Sequence, residues 1–407
     1  RCRRRARAMV KSAILFAAPH RLLFLTGIVQ LAATMLWWTV ALAGIHFDTV
    51  ALPNGEIPAS LLHAPILIYL VLPPLFFGFL LTVFPRWMGY PDLERRAYAP
   101  VAVGYALSAV LCWAGLLAGR DILLTGALAA AFLASLWGVF LLASIAVREV
   151  RDSKSPTWHG WSILAAFAFG IAGHFAVISF MVDPANGTLP FANRIGLWAF
   201  ILPVFFTVCH RMVPFFAGNV VEGYIRWRPF WLLAAFWLGT VFLVVAEVTG
   251  QLILLSLGSV LIAAITALMV WKWWPRAKAP ALLWVLIIGF AWAPLGYALA
   301  FLGSTGFELG RAPEHALTIG FASSILVAMV TRVTHGHSGR PLYFPVVAWI
   351  AFVGMQTAAL ARIAAGVHYE SPALLLASAI IFVACFAPWM LHNGAIYLQA
   401  RIDGKAG

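Results

Sequence analysis

Twelve long apolar runs limit what this chain can fold into more than any other feature of the sequence. An α-helix needs about 20 apolar residues to cross the hydrocarbon core of a bilayer. Runs of that length lie at 21–44, 60–84, 97–118, 121–147, 158–182, 194–217, 228–249, 251–273, 280–303, 312–333, 343–365 and 372–399. Short polar turns separate them, and no second soluble segment is visible. The sequence therefore predicts an all-α, polytopic membrane helix bundle with twelve transmembrane helices.

The distribution of charge predicts how this bundle is oriented. Only 10% of the residues are charged, yet the formal net charge is +13. Of the 27 Lys and Arg residues, only Arg120, Arg194, Arg311 and Arg362 fall on the side opposite the two termini. This asymmetry follows the positive-inside rule, which predicts cytoplasmic termini and contact with the lipid bilayer, and argues against nucleic-acid binding. We expect a basic cytoplasmic flank at 1–20, a transmembrane domain at 21–399 and a cytoplasmic tail at 400–407.

Histidines near the outer ends of three predicted helices are candidate cofactor ligands. Ionisable side chains inside a bilayer are costly and mark functional sites. None of the fourteen Asp and Glu residues lies near the middle of a predicted helix, which weakens a proton-coupled transporter interpretation. His63, His174 and His315 lie at comparable depth, and neutral imidazole is the usual ligand of haem iron and of copper. The alternative for each is a hydrogen-bonded packing residue.

Charged side chains close to these histidines suit a haem. Arg194 and Arg311 lie on the same side, and the guanidinium fork matches the carboxylates of haem propionates. The alternative is a charge at a helix end that reaches water. Glu314, next to His315, is the candidate catalytic proton donor if the site reduces its ligand; otherwise it is a solvated loop acid.

A second set of candidates lies on the cytoplasmic side. His210 is predicted near the end of the sixth helix, with Arg211 beside it. His335 and His337 form a His-Gly-His turn after the tenth helix, and Arg340 follows. Two imidazoles so spaced are candidate ligands of copper or zinc, although two ligands alone make an incomplete metal site. The arginines here are already explained by the positive-inside rule.

Several stretches of the sequence resemble one family. HALTIG at 315–320 leads into TRVTHGHSGRPL at 331–342, HRMVPFFAGN lies at 210–219, and RIDGKAG lies at 401–407. These strings are similar, in this order, to the signature of the NnrS family of polytopic inner-membrane proteins. The positions that match its motifs are His63, Arg211, Pro214, His315, His337, Gly339 and Arg340.

The resemblance implies a cofactor and a function. It implies a twelve-helix protein of the bacterial inner membrane that is associated with haem and copper and linked to nitric oxide metabolism, nitrosative-stress resistance and denitrification. We expect haem b, with copper as the second candidate, and an unidentified electron donor. One position departs from the family pattern: relatives read H-A-H-E where this chain has His63-Ala64-Pro65-Ile66, so a second histidine and a glutamate are missing.

Three functions therefore stay open at this point. The first is an integral membrane haem protein that binds nitric oxide or reduces it, as an oxidoreductase of the nitric oxide reductase type. The second is a haem or copper carrier, or a membrane redox or nitric oxide sensor, without turnover. The third is a membrane protein whose histidines only pack. A haem spectrum separates the third from the others, and nitric oxide consumption separates the first from the second.

Overall fold

Twelve helices that are long and apolar enough to cross a membrane make up most of the chain. The computed structural model describes residues 14–53 and 55–404. The helices are α1 (Pro19–Phe47), α2 (Ala59–Trp87), α3 (Arg95–Ala118), α4 (Asp121–Arg151), α5 (Trp158–Val182), α6 (Leu189–Val220), α7 (Trp231–Thr249), α8 (Leu252–Trp273), α9 (Ala281–Ser304), α10 (Ala312–His337), α11 (Val346–Val367) and α12 (Pro372–Tyr397). The described residues contain no β-strand. The all-α, twelve-helix prediction is confirmed.

The bundle has two faces, which we name by the ends of the chain. Short connections make consecutive helices run in opposite directions. The terminal face is the side on which α1 begins and α12 ends, and the other side is the opposite face. Residues 1–13, with Cys2 and most of the predicted basic flank, lie outside the described part of the chain, as do residues 405–407. That the terminal face is cytoplasmic stays a prediction.

Three helices are inner helices, and the other nine surround them. The most apolar windows of α2, α6 and α10 are 83%, 89% and 78% buried, whereas those of the other helices are 28–50% buried. The outer helices pack side by side, for example α3 on α4, α7 on α8 and α11 on α12, and α12 packs on α1. Exposed apolar side chains such as Leu133, Phe175 and Val353 lie on these outer helices. Lipid tails solvate such side chains as well as a protein core does, so the ring is suited to a bilayer.

Each inner helix contains a π-helical segment near the opposite face. The segments are Ile66–Val71 in α2, Gly196–Ile201 in α6 and Ala316–Ser323 in α10. Short π segments inside α-helices are rare overall, and many of those that occur lie at functional sites. The twelve helices divide into three consecutive groups of four: α1–α4, α5–α8 and α9–α12. The second helix of each group is an inner helix with a π segment, so the fold contains a threefold internal repeat. The apolar pattern of the sequence does not by itself predict this repeat.

Prolines and hydroxyl side chains explain why ordinary helical hydrogen bonding fails at these places. Pro73 and Pro74 follow the π segment of α2, and Pro203 follows that of α6. A proline has no N–H to donate, so the carbonyl four residues earlier loses its partner, and a wider turn supplies another. In α10 the Thr318 hydroxyl donates to the Glu314 carbonyl at 2.8 Å, and the Ser323 hydroxyl donates to the Thr318 carbonyl at 3.0 Å. In α2, the distortion that these prolines cause takes the form of a π segment.

A small cavity lies between the inner helices. Its volume is about 50 Å³, and all of its lining side chains are apolar. They include Leu75 and Phe79 from α2, Val204 and Phe205 from α6, and Leu326 and Met329 from α10. The cavity has room for a few water-sized molecules, and its apolar lining favours a dry interior. It is far too small for a haem.

Candidate cofactor site

His63 and His315, two of the three predicted outer ligands, lie together near the opposite face. His63 lies in the first turns of α2 and His315 lies at the start of α10, in each case just before or at the π segment. The two imidazoles lie within electrostatic range of each other, and both lie within range of the guanidinium of Arg362 on α11. Two inner helices that are far apart in sequence therefore bring two ring systems to one place.

The hydrogen bonds of these two rings leave nitrogen atoms free for a ligand. The Arg311 carbonyl accepts from His315 Nδ1 at 2.8 Å, so Nδ1 carries the hydrogen and Nε2 keeps its lone pair. The His63 ring stacks on Trp38 at a centroid distance of 4.3 Å, and its buried Nδ1 has no partner within the described residues. Imidazoles that ligate metals commonly donate their second nitrogen to a carbonyl in this way. The donor set fits a haem iron.

A network of ion pairs surrounds the histidine pair. Arg362 Nη1 lies 2.8 Å from Glu370 Oε2, and the Arg362 side chain is only 11% exposed. The backbone N–H of Arg311 donates to Glu370 Oε1 at 2.8 Å, and Arg311 Nη1 lies 3.0 Å from Glu314 Oε1. Arg311, a predicted partner of haem propionates, thus already has a carboxylate partner. A propionate at this place would have to exchange with Glu314.

The other predicted propionate partner, Arg194, is also paired. Its Nε lies 3.0 Å from Glu247 Oε2, and its Nη1 donates to the Glu247 carbonyl at 3.0 Å. Next to this pair the opposite face has an open depression of about 500 Å³. Four carboxylates line it, those of Glu247, Glu308, Glu314 and Glu370. We call it the acidic depression. It places Glu314 beside solvent and beside His315, as a proton donor would need, but the role of Glu314 stays a prediction.

His174, the third predicted outer ligand, occupies a separate position. Its ring lies between Tyr69, at a centroid distance of 5.1 Å, and Phe132, at 5.4 Å. The Leu128 carbonyl accepts a hydrogen bond from the ring, and the buried Nε2 has no partner among the described residues. In the described part of the chain, no three His, Cys, Asp or Glu side chains are grouped so that they could hold a metal ion. The three outer histidines therefore do not form one cluster.

At the terminal face, His210 belongs to a hydrogen-bonded chain. Arg211 Nη1 donates to His159 Nδ1 at 3.5 Å, His159 Nε2 donates to His210 Nδ1 at 2.9 Å, and His210 Nε2 donates to the Pro229 carbonyl at 3.2 Å. The carbonyl can only accept, and this fixes which atom donates in each of the three hydrogen bonds. All four ring nitrogens have protein partners. His210 and Arg211 are predicted to bind a cofactor, and binding one would require these hydrogen bonds to break.

The two histidines of the His-Gly-His turn have different neighbours. His335 Nδ1 donates to the Pro341 carbonyl at 3.0 Å, and its ring packs 5.2 Å from that of Tyr343. The His337 ring instead lies 4.7 Å from the ring of His20 on α1. The structure therefore pairs His337 with a histidine from another helix. It does not bring His335 and His337 into contact with each other.

The Arg86–Asp92 pair at the same face makes stability depend on pH. The bidentate hydrogen bonds from Arg86 lower the pKa of Asp92 below its ordinary value. A lowered pKa in the folded state means that the pair stabilises the fold above the unfolded-state pKa of about 3.9. That contribution is lost as the pH falls through the folded-state pKa.

Asp92→Asn should therefore lower the thermal unfolding midpoint at pH 7 and have no effect near pH 2. The loss should correspond to less than about 1 kcal/mol, since both side chains are more than half exposed. Thermal melts of parent and variant over this pH range measure it. A difference that is equally large at both pH values would contradict an origin in this ion pair.

The fold and these sites together define a polytopic membrane protein in which inner helices carry histidines near both faces. The chain belongs to the NnrS family: the family profile, described as NnrS protein, matches residues 14–401, nearly the whole chain. The resemblance drawn from the sequence motifs is thereby confirmed. A comparison with curated proteins found no match.

Proposed function

We propose that this chain is a membrane haem protein that binds nitric oxide, with His63 and His315 as the residues that hold the iron. The observation that carries the proposal is the pair of imidazoles at one place, one with an unpartnered buried nitrogen and the other with its second nitrogen anchored on a carbonyl. The haem, when bound, would supply an iron centre to which nitric oxide could bind in exchange for one of the two imidazoles. Haem b is the expected type, because the sequence has no CxxCH attachment motif; copper is the second candidate.

The surrounding residues have roles that follow from their contacts. Trp38 holds the His63 ring by stacking, and the Arg311 carbonyl holds the His315 ring in one orientation. Arg362 lies close to both imidazoles and, through its ion pair with Glu370, connects them to the acidic depression. Nitric oxide is a small molecule that partitions into lipid. The dry cavity between the inner helices is a place in which such a molecule would fit.

The absorption spectrum of the purified full-length protein tests this proposal. We expect a Soret band in the protein as isolated or after addition of haem, and a shift of that band when nitric oxide is added to the reduced sample. A protein that shows no Soret band after both preparations would overturn the haem assignment.

Nitric oxide consumption then separates a reductase from a sensor or carrier. The acidic depression offers a route for protons through Glu314, so the reductase form predicts continuous consumption at a nitric oxide electrode with a reductant present. Glu314→Gln should slow this consumption and leave the Soret band unchanged. Binding without continuous consumption would favour the sensor or carrier.

A further inference from the structure

The terminal face contains basic side chains that the proposed haem site does not use. α1 contributes His20 and Arg21, the end of α2 contributes Arg86, the segment after α10 contributes Arg340, and the segment after α12 contributes Arg401. Arg21 lies within range of like-charge repulsion from Arg340 and Arg401, and the His20 ring lies within electrostatic range of Arg86 and Arg401. We call these five residues the terminal basic cluster. His337 adds a sixth nitrogen-bearing group through its ring contact with His20.

Two of the four guanidinium groups in the cluster have carboxylate partners. Arg86 binds Asp92 through two hydrogen bonds, each 2.7 Å long. Arg401 binds Asp403 through two hydrogen bonds of 2.9 Å and 2.6 Å. In both pairs a single guanidinium engages both oxygens of its carboxylate. Two positive charges of the cluster are balanced in this way.

Within the described part of the chain, Arg21 and Arg340 have only neutral hydrogen-bond acceptors. Arg21 Nη1 donates to the Gln399 carbonyl at 2.7 Å, and Arg340 Nη2 donates to the Gln399 side-chain oxygen at 2.8 Å. Gln399 thus holds two cationic groups close together. Arg21 Nε, Arg340 Nη1 and His20 Nδ1 are buried and have no partner among residues 14–53 and 55–404. The remaining positions, 1–13, 54 and 405–407, contain no Asp or Glu residue.

The positive-inside rule does not explain this arrangement. An arginine that only sets topology extends its guanidinium into water. Arg21 is 3% exposed and His20 is 2% exposed. A buried charge without a counter-charge is costly, and it becomes favourable when a hydrogen-bonded anion joins it. The cluster therefore has the charge and the free donors of an anion site.

We propose that Arg21, Arg340 and His20 form a binding site for a phosphate group, either that of an anionic lipid or free inorganic phosphate. The planar guanidinium fork matches phosphate oxygens, and the free donors Arg21 Nε and Arg340 Nη1 belong to two such forks. The site is separate from the cofactor site. His20 contacts His337, and His337 lies 22 residue steps along α10 from His315, which corresponds to about 33 Å at about 1.5 Å per step.

Ligand-dependent thermal stability tests this site. The full-length protein is purified in neutral detergent without phosphate, and its unfolding midpoint is measured against inorganic phosphate, with chloride at equal ionic strength as reference. The same measurement is made in nanodiscs of phosphatidylglycerol and of phosphatidylcholine. A ligand that binds only the folded state raises the midpoint in a saturable way. A rise with inorganic phosphate identifies free phosphate as a ligand, and a rise with phosphatidylglycerol alone identifies the lipid; either result supports the site.

Variants connect the effect to these residues. Arg340→Gln should raise the ligand concentration needed for half of the effect about tenfold, because it removes one charge-assisted hydrogen bond to the phosphate; tenfold corresponds to about 1.4 kcal/mol. Arg21→Gln should act likewise; if it does not fold, Arg340→Gln, at a less buried position, carries the test. Arg226→Gln is the matched control, since Arg226 also donates to a neutral acceptor, Asn219, but is exposed.

Two results would overturn the proposal. One is a midpoint that neither phosphate nor phosphatidylglycerol raises above its reference. The other is an Arg340→Gln variant that responds at the same ligand concentration as the parent. Both readouts are independent of haem, so the absence of a Soret band would refute the proposed function and leave this inference standing.

Discussion

His315→Ala should abolish the Soret band of the purified protein, and His63→Ala should do the same. Each substitution removes one of the two imidazoles that the inner helices α2 and α10 bring together, and no other histidine among the described residues interacts with both. Even loss of a group that only orients a metal ligand costs about 10–100-fold in affinity, and loss of the ligand itself costs more. Haem content per protein, from the Soret absorbance and a pyridine haemochrome assay, measures the effect.

Two histidine variants are the controls for this experiment. His46→Ala changes an exposed residue at the same face and should retain full haem content. His210→Ala breaks the hydrogen-bonded chain at the other face and should retain the Soret band, even if it lowers stability. Loss of haem in His210→Ala together with its retention in His315→Ala would place the cofactor at the terminal face and refute the assignment of His63 and His315 as its ligands.

Gly258→Leu should cause a large loss of stability. Gly258 on α8 faces Gly239 on α7, and a Cβ atom at position 258 would lie 2.8 Å from the Gly239 carbonyl oxygen. A backbone oxygen in a helix cannot move aside as a flexible side chain can, so the two helices would have to separate. Overpacking of this kind costs about 1–3 kcal/mol, and leucine adds more than the Cβ. We expect a loss of about 3 kcal/mol, measured as a fall in the unfolding midpoint.

Gly303→Leu is the matched control for this effect. Gly303 lies in α9, and a Cβ atom there would have no neighbour within 4 Å. Leucine is also a better helix former than glycine, by somewhat less than about 1 kcal/mol. The midpoint of Gly303→Leu should stay the same or rise. Equal destabilisation by both substitutions would show that the contact between α7 and α8 is not what limits stability.

The sequence predicted the number of helices but not their arrangement, and the reason is physical. A helix that crosses lipid must be apolar whether it faces lipid or other helices. Accordingly the hydropathy of inner helices α2, α6 and α10, at 2.4, 1.6 and 1.7, lies within the range of 1.6–2.5 that the outer helices span. Burial separates the two groups, and burial depends on contacts between distant parts of the chain. The apolar runs therefore do not predict the threefold repeat.

The sequence likewise predicts some residues of the candidate site and not others. His63 and His315 were found because imidazoles in apolar helices are unusual. The sequence does not predict a place for Arg362 in this site, because nothing local shows that it lies near both imidazoles. His159 and His20 open helices, a position typical of interface residues, yet each contacts a histidine of an inner helix. Neighbours that are separated by many residues and several helices leave no local pattern in the sequence.

The π segments have a consequence for the alignment of the two faces. Each residue of an α-helix rotates the helix by about 100° about its axis. A π segment contains one residue more in its hydrogen-bonded turn than an α-helix does. The segment Ala316–Ser323 therefore sets the rotational phase between His315 at one end of α10 and His337 at the other. Deleting a single residue there would leave both histidines in the chain and turn one of them about a quarter of a circle away from its partner.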